Sequence, residues 1–182
     1  MKKTLKQINQ EIFSCKYCLK HKIGVLVPGE GNPRAKIAFL GEAPGKQESV
    51  MGRPFVGRSG QLLRQTIRDV LDLDDIKDVY ITSPVKYLPK KGTPTKQEIE
   101  HGRTHLYKQL EVIKPKIIVL MGNTAMYAML DAPLTVTKNR GKIITKDRRK
   151  YFIVYHPAAV IRFPWKFKTQ FLSDFRKLKK QL

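Results

Sequence analysis

The sequence is poor in cysteine, poor in acidic residues and free of long apolar runs. Among 182 residues there are two cysteines and one tryptophan. So few cysteines exclude a disulfide-stapled scaffold, and in a reducing cell Cys15 and Cys18 do not pair with each other. No apolar stretch approaches the roughly 20 residues that a membrane span needs. Met1-Lys2-Lys3 is not followed by the apolar segment of a signal peptide. The expectation is a protein inside the cell, cytoplasmic or nucleoid-associated, with no membrane partner. Internal repeats, long linkers and low-complexity tracts are missing too. A chain of this length is then expected to be a single domain, residues 1–182, and a monomer.

Acid is the most telling shortage. There are 15 aspartates and glutamates against 36 lysines and arginines, a formal charge of +21. An excess of that size excludes a neutral solvated surface and implies a polyanionic partner, with nucleic acid foremost. Such binding weakens steeply with salt, because neutralised phosphates release counterions.

What is present alternates between two periodicities. Residues 4–14 read as a helix with Leu5, Ile8, Ile12 and Phe13 on one side. Residues 36–40 read as a buried strand, and Ser59 as the cap of a helix with Leu62, Leu63, Ile67, Val70 and Leu71 inward. Val79–Thr82 is a second strand. Thr95 opens a helix with Glu98 completing a capping box, and Ile99, Gly102, Leu106, Leu110 and Ile113 form its stripe. Lys116–Met121 is a strand that turns at Gly122 into a helix ending near Leu130. Residues 142–145 and 151–155 form a hairpin around Lys146-Asp147-Arg148, and a basic helix closes the chain from about Thr169. The alternation predicts a three-layer α/β/α fold with a central, mostly parallel sheet. Segments 41–60, 83–94 and 156–164 all follow strands, so they should converge on one edge of the sheet, where open α/β folds bind ligands.

Four motifs in order then make a pattern: Gly41-Glu42-Ala43-Pro44-Gly45, Gly52-Arg53-Pro54-Phe55-Val56-Gly57, Tyr80-Ile81-Thr82 and His156-Pro157-Ala158. Together they resemble the uracil-DNA glycosylase superfamily, in particular its family-four, iron–sulfur branch. The resemblance runs from Cys15 to about Pro164. It implies hydrolysis of the N-glycosidic bond of uracil, or of a related deaminated base, in single- or double-stranded DNA. The target nucleotide would be flipped into a pocket, and an abasic site would be left for base excision repair. No cofactor is needed for that chemistry.

The resemblance also assigns residues. His156 matches the histidine that hydrogen-bonds the uracil oxygen as charge develops. Glu42 matches the carboxylate that positions water. Phe55 matches the aromatic that stacks on the base, and Gly41, Ala43, Pro44 and Gly45 match the wall of the pocket. Ala43 stands where another branch carries an aspartate base, and Gly45 where that branch carries a tyrosine. Glu48 reads as a helix-start or solvated carboxylate. Val160, Ile161 and Arg162 match the segment that wedges into the duplex, while Ser59 and Lys86 are expected to contact phosphate.

Two departures from the pattern matter. Ser83 stands where the family has an asparagine that reads the uracil edge, and a hydroxyl lacks the paired donor and acceptor of an amide. The implied four-iron cluster needs four cysteines. Cys15 and Cys18 match the first two, but Tyr87 and Gly102 occupy the other positions, and Tyr87 is expected to fill part of the cluster's space. The donors present leave open no metal, an unusual iron–sulfur site, or zinc on Cys15 and Cys18 with His21 and His101 or His105. The two departures also admit a catalytically weak or inactive DNA-binding relative, acting as a damage sensor or scaffold.

Overall fold

The computed structural model describes residues 3–132 and 134–182. In chain order its elements are α1 (Leu5–Phe13), α2 (Lys16–His21), β1 (Lys22–Ile23), β2 (Glu30–Gly31), β3 (Ile37–Leu40), α3 (Lys46–Met51), α4 (Arg58–Leu71), β4 (Val79–Thr82), β5 (Leu88–Pro89), α5 (Lys96–Ile113), β6 (Ile117–Met121), α6 (Asn123–Leu130), α7 (Val136–Asn139), β7 (Ile143–Lys146), β8 (Arg149–Val154), α8 (Pro157–Arg162) and α9 (Pro164–Lys179). Six strands form one sheet in the order β2-β4-β3-β6-β8-β7, and β1 pairs with β5 in a small separate ribbon. The four central strands run parallel, with β2 and β7 antiparallel at the edges. The predicted mostly parallel sheet flanked by helices is therefore observed.

Every residue of β3, β4 and β6 is buried. Strands covered by helices on both faces have no solvent side, which is why they read as unbroken apolar runs. At the edge, Asp147 and Arg148 both take positive φ between β7 and β8, the geometry of a two-residue hairpin turn. No helix among the described residues is long and apolar enough to cross a membrane.

The register sets up the site. Leu40 lies opposite both Thr82 and Leu120, and Met121 lies opposite Val154. The chain therefore leaves four neighbouring strands at one level, at Gly41, Ser83, Gly122 and Tyr155. The Gly41 N–H donates to the Thr82 carbonyl at 3.0 Å, and the Gly122 N–H to the Val154 carbonyl at 3.1 Å. Convergence of the three loop segments is thus a consequence of strand alignment.

Three boundaries differ from expectation. Gly57, not Ser59, is the N-cap of α4, and Ser59 sits inside its first turn. The segment after His156 is helical rather than a loop, because Pro157 occupies the first turn of α8, where its missing N–H is harmless. Pro164 then starts α9 in the same way, five residues before Thr169. Phe13, expected on the inner side of α1, is 51% exposed.

Candidate active site

A cavity of about 210 Å³ opens at the carboxyl ends of the parallel strands. Glu42, Ala43, Pro44, Gly45, Phe55, Ser59, Ser83 and His156 all line it. A larger hollow of about 730 Å³ lies at the opposite end of the sheet, around Ile37 and Ile117.

Backbone groups held by two buried charged side chains build the pocket. Glu48, at the third position of α3, accepts hydrogen bonds from the N–H groups of Gly45 at 3.1 Å, Val56 at 2.9 Å and Gly57 at 2.8 Å. One carboxylate thereby ties the first glycine loop to the second. The residue expected to be a solvated or merely helix-starting acid is buried and organises both loops; its place three residues after Gly45 was the available signal. Arg64, buried on α4, donates to the Pro54 carbonyl at 2.8 Å and the Phe55 carbonyl at 3.0 Å. Asp75 and Glu30 balance its charge at 2.8 and 3.0 Å. These bonds hold Phe55 at φ 54°, a conformation uncommon for an aromatic residue. Gly41 lies directly beneath its ring: a Cβ there would approach Phe55 Cζ to 2.6 Å.

His156 is the N-cap of α8. Its Nδ1 accepts from the Ala158 N–H at 3.2 Å. A neutral ring whose Nδ1 accepts carries its proton on Nε2, and Nε2 lies beside Gly41 and the Phe55 ring, whose centroid is 5.8 Å from that of the imidazole. Burial holds the His156 pKa down at about 4, with Glu48 opposing weakly. At neutral pH the group is therefore an uncharged donor facing the cavity. The neighbouring Glu42 carboxylate accepts from Thr124 Oγ at 2.7 Å, which fixes its direction. Across from it, Ser83 Oγ donates to the Val85 carbonyl at 2.7 Å.

A model of the uracil DNA glycosylase superfamily matches residues 28–179. The chain belongs to this superfamily. It is 37% identical to a type-4 uracil-DNA glycosylase of Archaeoglobus fulgidus, with 96% of this chain and 92% of that protein covered. It is 39% identical to a type-4 uracil-DNA glycosylase of Sulfurisphaera tokodaii, over 97% of this chain and 84% of that protein. A type-4 uracil-DNA glycosylase of Thermotoga maritima is 36% identical over 85% and 82%.

Two of the expected DNA contacts are corrected by burial. Lys86 is fully buried. Its ammonium donates to Thr82 Oγ, the Ser83 carbonyl and Gln109 Oε at 2.7 Å each, and more weakly to the Pro28 carbonyl at 3.3 Å. Burial lowers its pKa to about 7. It braces the Ser83 wall from behind and reaches no phosphate. Val160 is also buried, packed into the main core, because the helical turn after His156 rotates it inward. Ile161 and Ser59 do share an open groove with Lys46 and Arg58, and Arg162 is exposed with its guanidinium 5.3 Å from the Phe163 ring. Beyond them Trp165 is 82% exposed on the first turn of α9.

The four-cysteine cluster implied for the family-four branch does not fit this chain. Cys15 caps α2 and Cys18 is buried in it, and both are free thiols. The third position is Tyr87, buried in the same core cluster as Cys18, with its hydroxyl donating to Glu98 at 3.2 Å. At the fourth, Gly102 lets α5 touch the Pro84 carbonyl so closely that any Cβ would collide with it. His101 and His105 flank that position instead.

Proposed function

We propose that this chain is a DNA glycosylase that hydrolyses the N-glycosidic bond of uracil in base excision repair. It acts as a monomer on single- or double-stranded DNA, as a monofunctional hydrolase with no lysine Schiff base. One observation carries the reading: the neutral Nε2–H of His156 and the ring of Phe55 face one cavity, with the Glu42 carboxylate on its rim. At about 210 Å³ the cavity is smaller than the roughly 300–1,000 Å³ of drug-sized sites, and it suits one flipped pyrimidine.

The chemistry follows from that layout. The bond from the sugar to the base breaks with its electron pair leaving on uracil. The growing negative charge on the base oxygen is met by the His156 Nε2–H, a donor already aimed and already desolvated, which is the efficient way to stabilise a developing anion. The histidine donates a hydrogen bond and keeps its proton. Phe55 stacks on the base. Glu42, held by Thr124, orients a water against the anomeric carbon and takes its proton as the water oxygen bonds to that carbon, while uracil leaves as the anion. Lys46, Arg58 and Ser59 line the groove next to the pocket and meet phosphates, with Ile161, Arg162 and Trp165 toward the duplex.

Ser83 favours a second reading, a weak enzyme or damage sensor. Its hydroxyl proton is committed to Val85, so it can accept from the uracil N3–H but has no donor for O4. The deciding experiment offers oligonucleotides containing uracil, hypoxanthine or a thymine mismatch, then cleaves abasic sites with alkali. Cleavage of the uracil strand that disappears in His156→Ala supports the enzyme. No cleavage above that control on any substrate leaves only the sensor.

A further inference from the structure

The strongest unassigned feature lies on the other side of the Ser83–Leu88 segment. Cys15 is the N-cap of α2 and Cys18 lies in its first turn, and His101 and His105 are one turn apart on α5, so both histidines share a helix face. The ligand atoms of the four residues all lie within 4.8 Å of one another. Cys15 Sγ is 3.2 Å from His101 Nε2. His105 is only 7% exposed, and neither of its ring nitrogens has a hydrogen-bond partner. Buried polar atoms in native folds are almost always satisfied, so an orphaned imidazole aimed at two thiols asks for a ligand.

We propose that Cys15, Cys18, His101 and His105 bind a single zinc ion in a closed tetrahedral site. Zinc–sulfur and zinc–nitrogen bonds of about 2.3 and 2.0–2.1 Å put tetrahedral donor atoms roughly 3.3–3.8 Å apart. A set already gathered inside 4.8 Å reaches that spacing by small side-chain rotations. A cubane cluster would push its ligand atoms much further apart, and a two-iron centre with two histidines would place the cysteines on one iron and the histidines on the other. The short Cys15–His101 approach instead puts a sulfur and a nitrogen on the same ion. Two thiolates balance the charge of the dication and two neutral imidazoles add none, so the buried centre is neutral overall, which a low-dielectric interior requires. Binding releases the two thiol protons.

The surroundings support these four donors over the remaining histidine. Tyr17 is stacked between His21 and His101, at 4.2 and 4.0 Å between ring centroids. His21 Nδ1 is engaged with the Tyr17 carbonyl at 2.8 Å, outside the donor group. The sandwich orients His101 toward Cys15, as outer-shell contacts orient metal ligands. Four protein donors leave no open position, so the ion is structural. It clasps α2 to α5. The segment leaving α2 is β1, whose Ile23 pairs with Leu88 of β5, and Leu88 lines the pocket. The staple therefore steadies one pocket wall, whatever base the pocket accepts.

The test is metal analysis of the full-length protein, purified anaerobically without chelator, together with cobalt substitution. About one zinc per chain, no iron, and the intense visible bands of thiolate-bound tetrahedral cobalt are expected. His105→Ala and Cys18→Ser should abolish those bands, and His21→Ala should keep them. In the wild-type chain, zinc should shield Cys15 and Cys18 from alkylation and a chelator should expose them, a readout that needs no variant to fold. Iron with acid-labile sulfide would overturn the proposal. So would a chain that takes up neither zinc nor cobalt, or cobalt bands that survive His105→Ala.

Discussion

The pocket and the cysteine–histidine cluster are neighbours that obey different rules. In the pocket, each reactive atom must stand at one place relative to a base, and buried groups such as Glu48 and Arg64 fix the backbone that presents it. Glu42, Phe55 and His156 line the pocket together. In the cluster, the ligands need only surround one ion. Donors at 101 and 105 serve when position 102 must stay bare against Pro84. A catalytic site is constrained atom by atom, while a staple is constrained by distance. Substitutions in the pocket should therefore act mainly on rate, and substitutions in the cluster mainly on melting temperature, reaching the rate only through the Leu88 wall.

The largest effect expected is on the pocket side. His156→Ala removes the donor that meets the leaving base, and single-turnover excision should fall about 10²- to 10³-fold, while loss of the α8 cap costs about 0.5–2 kcal/mol of stability. A drop below tenfold would mean another group carries that charge. The same donor can be tested by pH. Burial lowers the histidine from its usual 6.5 to about 4, so the folded state favours the neutral ring. Its contribution is complete above the unfolded value and is lost as pH falls from 6.5 toward 4. Protonation puts a hydrogen on Nδ1, which now accepts from Ala158, and so breaks the cap of α8. The rate profile should show no histidine limb between pH 5 and 8, and an acid limb near 4. An inflection at 6.5 would show an exposed, ordinary imidazole.

Glu48→Ala is the substitution that should blur the comparison. It leaves the N–H groups of Gly45, Val56 and Gly57 without their buried acceptor, at a cost of about 3 kcal/mol. Thermal melting should fall and excision should fall with it, because the two glycine loops separate. Full activity in a fully stable Glu48→Ala chain would show that the loops hold each other without the carboxylate.

Legibility differed in the same way between the two regions. Strand periodicity and the glycine motifs were enough to foresee the parallel sheet and the convergence of Gly41, Ser83 and His156, since both follow from local pattern and register. Two kinds of residue misled. Lys86 reads as one more member of a basic surface, and only the fold shows it sealed behind Ser83 among oxygen acceptors. Glu48 reads as a helix-start or solvated acid; the helix start is there, at the third position of α3, but its partners eight and nine residues away are not visible in the local pattern. The helical turn that buries Val160 follows a proline that ends the strand and equally starts a helix. The choice between His21, His101 and His105 was beyond the sequence, since stacking on Tyr17 and the spacing of α5 from α2 decide it.

Gly102→Cys probes the cluster side with a smaller effect. Restoring a cysteine there drives its Cβ into the Pro84 carbonyl, and overpacking of this kind costs about 1–3 kcal/mol. The melting temperature should drop, and no iron should be gained even when Tyr87→Cys is added. Formation of a cluster in the double variant would show that α5 can withdraw from Pro84 and that the cluster tolerates a cysteine at position 102.

Ser83→Asn is the mildest change and the sharpest for the pocket. The serine hydroxyl spends its proton on Val85, so the edge of the base meets an acceptor but no donor. An amide offers both. An unpaired buried edge costs about 1–3 kcal/mol, so supplying the missing donor should raise uracil excision about tenfold. The gain should be confined to uracil, because hypoxanthine presents a different edge. If the rate falls instead, the serine itself reads uracil. A fall confined to hypoxanthine would identify hypoxanthine as the base that the serine reads.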